Sequence, residues 1–298
     1  MDEIIKLDNI SQFNTLRGIE TLHPLVSVFE FSKMKLIPEA RAHYGFYCVF
    51  LKEAVCGELK YGCNYYDYQE GTLVFIAPGL VVGIGSKPGS PRPEGWALLF
   101  HPDLIRGTSL GRNIKQYTFF SYEANEALHI SERERLIIID CLNKIDHELN
   151  QSIDKHSKTL IANNIELLLN YCLRFYDRQF ITRGTVNKVI LVKFERLLDN
   201  YFHSEITQTH GLPTVKYCAG QLNLSANYFG DLIKKETGRS AQEYIQLKLI
   251  GIAKERIFDT SKSISEIAYG LGFKHPQHFS RMFKNETGYA PNEYRSLN

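Results

Sequence analysis

The spacing of apolar residues changes along the chain. From about Val28 to Phe120, short apolar runs alternate with clusters of Gly and Pro. The clearest runs are residues 46–51, 73–76 and 96–100. Short runs at this spacing are typical of the strands of a small barrel or sandwich. The first part of the chain is therefore predicted to be rich in β-strands.

Helical spacing replaces the strand pattern after residue 130. Residues 131–134 (SERE) have the form of a capping box, which favours the start of a helix. Apolar residues then recur at helical spacing, at Ile138, Cys141, Leu142, Ile145 and Leu149. A second helix is predicted from about Lys158 to Tyr176. Residues 177–185 (DRQFITRGT) break the pattern and are interpreted as an interdomain linker, followed by a helix over 186–202.

The C-terminal part of the chain contains one pattern twice. Residues 214–244 read TVKYCAGQLNLSANYFGDLIKKETGRSAQEY, and residues 263–294 read SISEIAYGLGFKHPQHFSRMFKNETGYAPNEY. In both copies, apolar residues at positions i, i+3, i+4 and i+7 predict a first helix. These residues are Val215, Cys218, Ala219 and Leu222 in one copy and Ile264, Ile267, Ala268 and Leu271 in the other.

Each first helix is followed by a residue that can adopt a left-handed backbone, Asn223 in one copy and Gly272 in the other. A second helix then begins, with Ser225 as its predicted N-cap in one copy and Pro276 in the first turn of the other. Its apolar residues are Phe229, Leu232 and Ile233 in one copy and Phe279, Met282 and Phe283 in the other. Both second helices are predicted to end at Glu-Thr-Gly, with Gly as the C-terminal cap.

A helix, a short turn and a second helix make a helix-turn-helix motif. Duplicated helical hairpins also build solenoids, but two copies are too few for a stable one. The residues between the copies, about 241–258, predict a linking helix with Tyr244, Leu247, Ile252 and Ala253 available for packing. Such a helix would fix the separation of the motifs, and one face of DNA presents a major groove about every 34 Å. The repeat therefore favours two recognition helices in successive major grooves.

Composition and charge agree with this interpretation. The 298 residues are 44% hydrophobic and 23% charged, as expected for two soluble globular domains. From Val215 to the end there are 12 Lys and Arg against 8 Asp and Glu, which leaves 23 against 25 for the rest. A basic end is typical of nucleic-acid-binding domains, although an ordinary solvated surface gives similar counts. The N-terminus is acidic and no apolar run approaches the ~18 residues of a membrane span, so a cytoplasmic protein without a membrane partner is expected.

The second copy resembles the DNA-binding domain of the AraC/XylS family of transcriptional regulators. The residues that carry the resemblance are Ser263, Ile264, Ile267, Ala268, Gly272, Phe273, Phe279 to Lys284, Thr287, Gly288, Pro291, Tyr294 and Arg295. The resemblance covers about the last hundred residues, and the part before them is similar to the family in organisation only. It implies a sequence-specific DNA-binding regulator, usually an activator, with double-stranded DNA and RNA polymerase as partners.

The expected fold class is α+β. Residues 1–177 would form a cupin-like β-barrel with two following helices, as a sensory and dimerisation domain. A linker at 178–185 would lead to an all-α domain at 186–298, with two helix-turn-helix motifs joined by the linking helix. The resemblance implies that the first domain senses a small-molecule effector or forms a homodimer, and the apolar stripes of its two helices also favour a dimer contact.

The base-reading positions of the family fall on two sets of residues in this sequence. They are Asn227, Gly230 and Asp231 in the first copy and Gln277, His278 and Arg281 in the second. Lys234, Lys235 and Lys284 are interpreted as phosphate contacts. The two sets are unequal, because Gly230 has no side chain and Asp231 repels phosphate unless it accepts a hydrogen bond from cytosine.

Two enzyme classes are alternatives to a regulator. A cupin-type metal enzyme needs a His-rich ligand set, but between Glu39 and His101 the only other histidine is His43, so no metal and no cofactor are expected. His43 and His101 are interpreted as hydrogen-bonded structural residues. A DNA-repair alkyl acceptor needs an activated cysteine, and the six scattered cysteines, which include no C-x-x-C pair, are interpreted as reduced, mostly buried thiols.

An effector pocket in the first domain is a further hypothesis. Its candidate residues are His43, Phe46, Tyr65, Tyr66 and Trp96, whose rings would suit stacking on a sugar or an aromatic ligand. Aromatic residues in a barrel also serve simply as core.

Overall fold

A computed structural model of the chain describes residues 4–53, 71–85, 92–122, 126–204 and 206–296. The chain divides into two compact units, Met1–Thr182 and Arg183–Asn298. The N-terminal unit mixes strands and helices, and the described residues of the C-terminal unit that have regular structure are all helical. The mixed α+β class predicted from the sequence is confirmed.

The strands of the N-terminal unit form two sheets. The strands described are β1 (Ile4–Leu7), β2 (Val26–Glu30), β3 (Ala40–Tyr44), β4 (Tyr47–Lys52), β5 (Gly71–Ile76), β6 (Val81–Ile84), β7 (Gly95–Phe100) and β8 (Leu128–Ile130). One sheet has the order β1-β3-β6, and the other has the order β2-β7-β4-β5-β8. The β1–β3 pair is parallel, with Leu7 opposite Tyr44, and the other pairs are antiparallel.

A common core joins the two sheets and the first helix. Strand β3 alternates, with Ala42 and Tyr44 buried and Arg41 exposed, as expected for a strand with one buried face. Helix α1 (Ile10–Arg17) begins at a capping box in which Asn9 accepts from the Gln12 backbone, and its buried face packs on the same core. The core cluster includes Leu7, Phe13, Phe29, Tyr44, Phe46, Cys48, Ile76 and Leu99. The apolar side chains of both sheets therefore share one interior.

This arrangement differs from the closed cupin-like barrel that we expected. Within the described ranges, no strand pairing links the three-stranded sheet to the five-stranded sheet. Sheet order depends on pairings between distant parts of the chain, such as β2 with β7, which local patterns of apolar residues do not specify. The local pattern allowed either a barrel or a sandwich, and the described strands form two separate sheets.

Four helices among the described residues of the N-terminal unit follow β7. They are α2 (Pro102–Ile105), α3 (Ser109–Asn113), α4 (Glu132–Leu149) and α5 (Ser157–Thr182), with short 3-10 turns at 114–116 and 118–121. The predicted capping box is confirmed, because Ser131 Oγ accepts from Glu134 N at 3.4 Å and Ser131 N donates to Glu134 Oε2 at 2.9 Å. All five apolar residues predicted to line α4 are buried.

The prediction that the helical pattern breaks at Asp177 is wrong, because α5 continues through Thr182. Gln179 is 3% exposed, and its side chain accepts from His129 N at 2.8 Å and donates to the Ala127 carbonyl at 3.2 Å. Arg178 Nε donates to Glu134 Oε1 at 2.8 Å. These polar side chains, which suggested a linker, bind neighbouring elements and extend the helix.

The C-terminal unit consists of short and medium-length helices. They are α6 (Gly184–His203), α7 (Ile206–His210), α8 (Val215–Gln221), α9 (Ala226–Thr237), α10 (Ala241–Ile257), α11 (Ile264–Gly270), α12 (Pro276–Thr287) and α13 (Pro291–Arg295). Among the described residues of either unit, no helix has the length and apolarity that spanning a membrane requires.

Candidate nucleic-acid interface

The first helical hairpin, α8 and α9, is closed by a tight turn. Asn223 has a left-handed backbone with φ 56°, as predicted, and the next residue, Leu224, donates its N–H to the Ala219 carbonyl at 3.0 Å. Helix α9 then begins at Ser225, whose hydroxyl accepts from Tyr228 N at 3.2 Å. The turn and the N-cap together fix the direction in which α9 leaves α8.

The second hairpin, α11 and α12, has the same turn. Gly272 has φ 92°, and Phe273 donates its N–H to the Ala268 carbonyl at 3.0 Å. Helix α11 begins at the predicted capping box, where Ser263 N donates to Glu266 Oε2 at 2.7 Å and Glu266 N donates to Ser263 Oγ at 3.2 Å. The hydrogen bond from the Ser263 hydroxyl lowers the pKa of Glu266 and keeps this cap ionised.

The second helices of the two hairpins also end alike. Gly238 and Gly288, with φ 73° and 83°, cap α9 and α12 as predicted. The preceding residues, Thr237 and Thr287, donate their hydroxyls to carbonyls one turn earlier, at 2.7 and 2.8 Å. The sequence repeat is therefore a structural repeat with equivalent turns and C-terminal caps.

One face of each second helix packs into the unit. The buried residues are Tyr228, Phe229, Leu232 and Ile233 in α9 and Phe279 and Phe283 in α12. Phe229 packs edge-on against Phe194 of α6 with ring centroids 4.9 Å apart, and Phe283 packs edge-on against Tyr294 of α13 at 5.3 Å. Of the six apolar residues predicted for these two second helices, only Met282 is half-buried rather than buried.

The opposite faces of α9 and α12 carry the predicted contact residues. Asn227, Lys234 and Lys235 are exposed on α9, and Gly230 and Asp231 are half-exposed. Gln277, His278, Arg281 and Lys284 are all exposed on α12. The structure thus presents each set of candidate residues on the free side of one helix, as entry into a DNA groove requires.

The family model described as "Helix-turn-helix domain", which is of AraC type, matches residues 218–296. The C-terminal unit contains an AraC-type helix-turn-helix domain. The matched residues include α9 to α13, and thus both of the helices whose free faces carry the candidate contacts.

Several curated relatives match over part of the chain. The uncharacterised HTH-type transcriptional regulator YtdP of Bacillus subtilis is 30% identical over 110 residues, which cover 37% of this chain and 14% of that protein. The transcriptional activator RhaS of Salmonella arizonae is 29% identical over 134 residues, covering 44% of this chain and 45% of RhaS. The chain therefore spans less than half the length of these two relatives.

A solved structure is similar to part of the chain. The C-terminal domain of AraT, a response regulator from Geobacillus stearothermophilus, is 28% identical and covers 37% of this chain and 85% of the solved chain. The TM-score of this match is 0.33.

The linking helix of the AraC-type domain, α10, is held by its own cap and by α6. Ser240 caps α10 in a further capping box, and Tyr244 donates its hydroxyl to Glu195 Oε1 of α6 at 2.5 Å. Ile252 and Ala253 are buried as predicted. Leu247 was also expected to pack, but it is 36% exposed, because residues 245, 249, 252 and 253 form the buried stripe.

The AraC-type domain also contains arginines that sequence reasoning did not assign. Arg295, at the end of α13, donates from Nε to the Ile257 carbonyl at 2.6 Å and from Nη2 to the Lys262 carbonyl at 3.0 Å. Arg256, near the end of α10, donates from Nη2 to the Phe202 carbonyl at 2.5 Å. These arginines could have been identified by their positions in the last turn of a helix, because basic residues there often bind unpaired carbonyls.

The candidate effector residues of the N-terminal unit do not form one described site. Phe46 is fully buried in the core, where its ring packs edge-on against Tyr44 at 5.6 Å. Trp96 and His43 are half-buried on β7 and β3. Tyr65 and Tyr66 lie outside the described residues.

The two histidines interpreted as structural residues differ. His101 Nδ1 accepts from Asp103 N at 3.2 Å and caps α2, which confirms its hydrogen-bonded role. The buried Nδ1 of His43 has no hydrogen-bond partner among the residues that the structure describes. In the described ranges, no group of three or more His, Cys, Asp or Glu residues is placed to hold a metal ion.

The described cysteines are buried free thiols. They are Cys48, Cys141, Cys172 and Cys218, and Cys56 and Cys63 lie outside the described residues. Burial raises the pKa of Cys48 and of Cys172 well above the usual range and raises the pKa of Cys218 to about 11. Raised pKa values disfavour the thiolate that nucleophilic chemistry requires.

Proposed function

We propose that the chain is a sequence-specific DNA-binding transcriptional regulator that places α9 and α12 in successive major grooves. The observation that carries the proposal is the repeated hairpin of the AraC-type domain. Each copy buries an apolar face of its second helix and leaves the polar candidate residues on the free face. Helix α10 has 17 residues, or about 25 Å at about 1.5 Å per residue, and separates the copies by a rigid element.

Helix α12 is proposed to read bases. Gln277 and Arg281 are four residues apart, so they lie on the same helical face, and both are exposed. A glutamine amide can pair with adenine and an arginine with guanine in the major groove. Lys284, one turn further along this face, is proposed to contact phosphate, and His278 is proposed to lie at the edge of the base contacts.

Helix α9 is proposed to contribute more to positioning than to reading. Asn227 can pair with adenine, and Lys234 and Lys235 can contact phosphate. Asp231 occupies the position equivalent to Arg281, and its charge permits a direct contact with cytosine but opposes contact with the backbone. Because Gly230 has no side chain, its only proposed contribution is to let the helix backbone approach the DNA closely.

The N-terminal unit is proposed to sense a small-molecule effector and to form the homodimer. Its α4 and α5 expose Leu136, Leu160 and Leu167, at 54%, 46% and 42%, and these apolar residues are proposed to meet a second copy of the chain. We keep a sensory and dimerisation domain followed by a DNA-binding domain at 186–298 as a proposal, with the boundary moved from the predicted linker at 178–185 to the end of α5 at Thr182. Effector binding would change the pairing of DNA-binding domains, and RNA polymerase is the proposed partner at the promoter.

Two substitutions on α12 test this function by distinguishing a contact to bases from a contact to phosphate. Arg281→Ala should cost about 1–3 kcal/mol on the preferred site and relax specificity at one or two base pairs, because it removes a base contact. Lys284→Ala should weaken binding to all sequences alike and lower the salt slope by about one, because it removes a phosphate contact.

The measurement is selection of preferred sites from random DNA at two salt concentrations. Lys188→Ala is the matched control, since Lys188 is exposed on α6, outside the proposed surface. Retention of full sequence preference by Arg281→Ala, together with its loss in Lys284→Ala, would show that α12 enters the groove in another orientation. Binding by the unmodified chain that ignores both salt and sequence would refute the function itself.

A further inference from the structure

Arg256 connects the ends of two helices that belong to different parts of the C-terminal unit. From its place near the end of α10, its Nη2 donates to the Phe202 carbonyl at 2.5 Å and its Nη1 donates to the Gly270 carbonyl at 3.3 Å. Phe202 lies in the last turn of α6, and Gly270 is the last residue of α11. Carbonyls at helix ends lack partners within the helix and carry partial negative charge, so a guanidinium is well suited to bind both.

A second contact fixes the same end of α11. The Thr207 hydroxyl of α7 donates to the Gly270 carbonyl at 3.1 Å, and Thr207 is 1% exposed. At Gly272, in the turn of the second hairpin, an added Cβ would lie 2.9 Å from the Thr207 carbonyl oxygen and 2.9 Å from Gly211 C. The turn that directs α12 is therefore held closely against the residues that follow α6.

Helix α6 also supports the first recognition helix. Phe194 packs edge-on against Phe229 of α9, and Asn187 Nδ2 donates to Glu236 Oε1 near the end of α9 at 3.1 Å. One helix thus contacts α9 along its length and meets the second hairpin at its C-terminal end, where Arg256 binds. This junction therefore lies between the residues that support α9 and those that support the second hairpin.

We propose that Arg256 is a positioning residue that sets the spacing between the two DNA subsites read by α9 and α12. The inference rests on the proposed function, since it requires both helices to bind one DNA molecule. The planar guanidinium has two arms that reach two carbonyls at once, whereas a lysine ammonium at the end of a flexible stem does not reproduce this fork. Loss of the fork would loosen the junction without removing any group from the DNA-binding surface.

The test compares DNA sites of different spacing. A preferred site is selected with the unmodified chain, and one base pair is then inserted or removed between its subsites. Each step moves one subsite by about 3.4 Å along the DNA and by about 35° around it. The unmodified chain should prefer the selected spacing by about 10-fold or more, because a mismatched span lowers the effective concentration of the second motif.

Arg256→Lys should reduce this preference to about 3-fold or less, while its affinity for each isolated subsite stays unchanged. Arg196→Lys is the matched control, since Arg196 is exposed on α6, and it should keep the original preference. Thr207→Val, which removes the other hydrogen bond to Gly270 at nearly constant shape, should act in the same direction with a smaller effect. This second variant gives an independent answer if Arg256→Lys folds poorly.

Three results of this experiment would overturn the positioning role of Arg256, each for a different reason. If the unmodified chain shows spacing preference and both Arg256→Lys and Thr207→Val keep it, the positioning role is overturned and the two-groove function stands. If the unmodified chain binds all spacings equally, two-groove binding is overturned and the positioning role falls with it. A uniform loss of affinity on isolated subsites would assign Arg256 to the stability of the domain and would also overturn the proposal.

Discussion

Replacing Gly230 with Ala should separate the stability of α9 from its binding to DNA. Gly230 lies inside α9, and a Cβ placed there meets no atom within 4 Å. An interior helical Gly is less stable than Ala by about 0.5–1 kcal/mol, because Gly loses more backbone freedom on folding. The variant should gain this amount, which for a unit of roughly 100 residues raises its Tm by about 2–8 °C.

The same methyl group should weaken DNA binding. Gly230 is half-exposed on the free face of α9, between Asn227 and Lys234. If this face lies in the major groove, the absence of a side chain lets the helix backbone approach the DNA closely. A methyl group at this point should reduce affinity for the preferred site by about 5-fold, or ~1 kcal/mol. The variant is therefore expected to be more stable and to bind less tightly.

Gly251→Ala provides the matched control. Gly251 is exposed inside α10, and an added Cβ there also meets no atom within 4 Å. Calorimetry of the full chain should show a similar gain in Tm for both variants, and fluorescence anisotropy on the selected site should show a loss of affinity for Gly230→Ala alone. Unchanged or tighter binding by Gly230→Ala would refute close approach of α9 to DNA, whereas no gain in Tm for either variant would refute the helix-stability estimate.

Three further outcomes are expected from the structure. Gly272→Ala should lower stability by more than about 2 kcal/mol, since it adds a clash to a left-handed backbone. Thermal unfolding should show a smaller loss for Gly288→Ala, because Gly288 has a similar φ but an added Cβ there meets no atom within 4 Å. The Cys218 thiol, with its pKa raised to about 11, should react with a thiol reagent at pH 8 much more slowly in the folded chain than in urea. Mass spectrometry identifies the modified cysteine, and equal rates would contradict the burial of Cys218. Sedimentation of residues 1–182 should show a dimer that Leu160→Glu weakens, and a strict monomer at high micromolar concentration would contradict the proposed contact.

The sequence predicted best the features that depend on local chemistry. The capping box at Ser263, the left-handed residues Asn223 and Gly272, and the C-terminal Gly caps occur where expected. Each of these signals acts within about four residues and needs no distant partner. The buried faces of α9 and α12 followed from helical spacing for the same reason.

Features that depend on distant contacts were predicted less well. Strand spacing indicated short strands, but the division into two sheets depends on pairings such as β2 with β7. Gln179 appeared polar enough for a linker, yet it is buried because its amide binds the backbone of His129 in β8 and of Ala127 just before it. Leu247 fitted the helical pattern but lies beside the buried stripe of α10. In each case the partner is remote in sequence, and residue type alone does not identify it.

Within the candidate interface, the turns and caps of the two motifs are alike, whereas the exposed faces of α9 and α12 differ. The turns and Gly caps are equivalent in both copies because the hairpin needs them to fold. The free faces carry no such requirement, and they differ most where Asp231 stands in α9 and Arg281 in α12. A side chain that repels phosphate restricts α9 to selected contacts, whereas Arg281 can bind guanine with two hydrogen bonds. The proposed DNA site should therefore contain one subsite with strict base requirements and a second with looser ones, about one helical turn away.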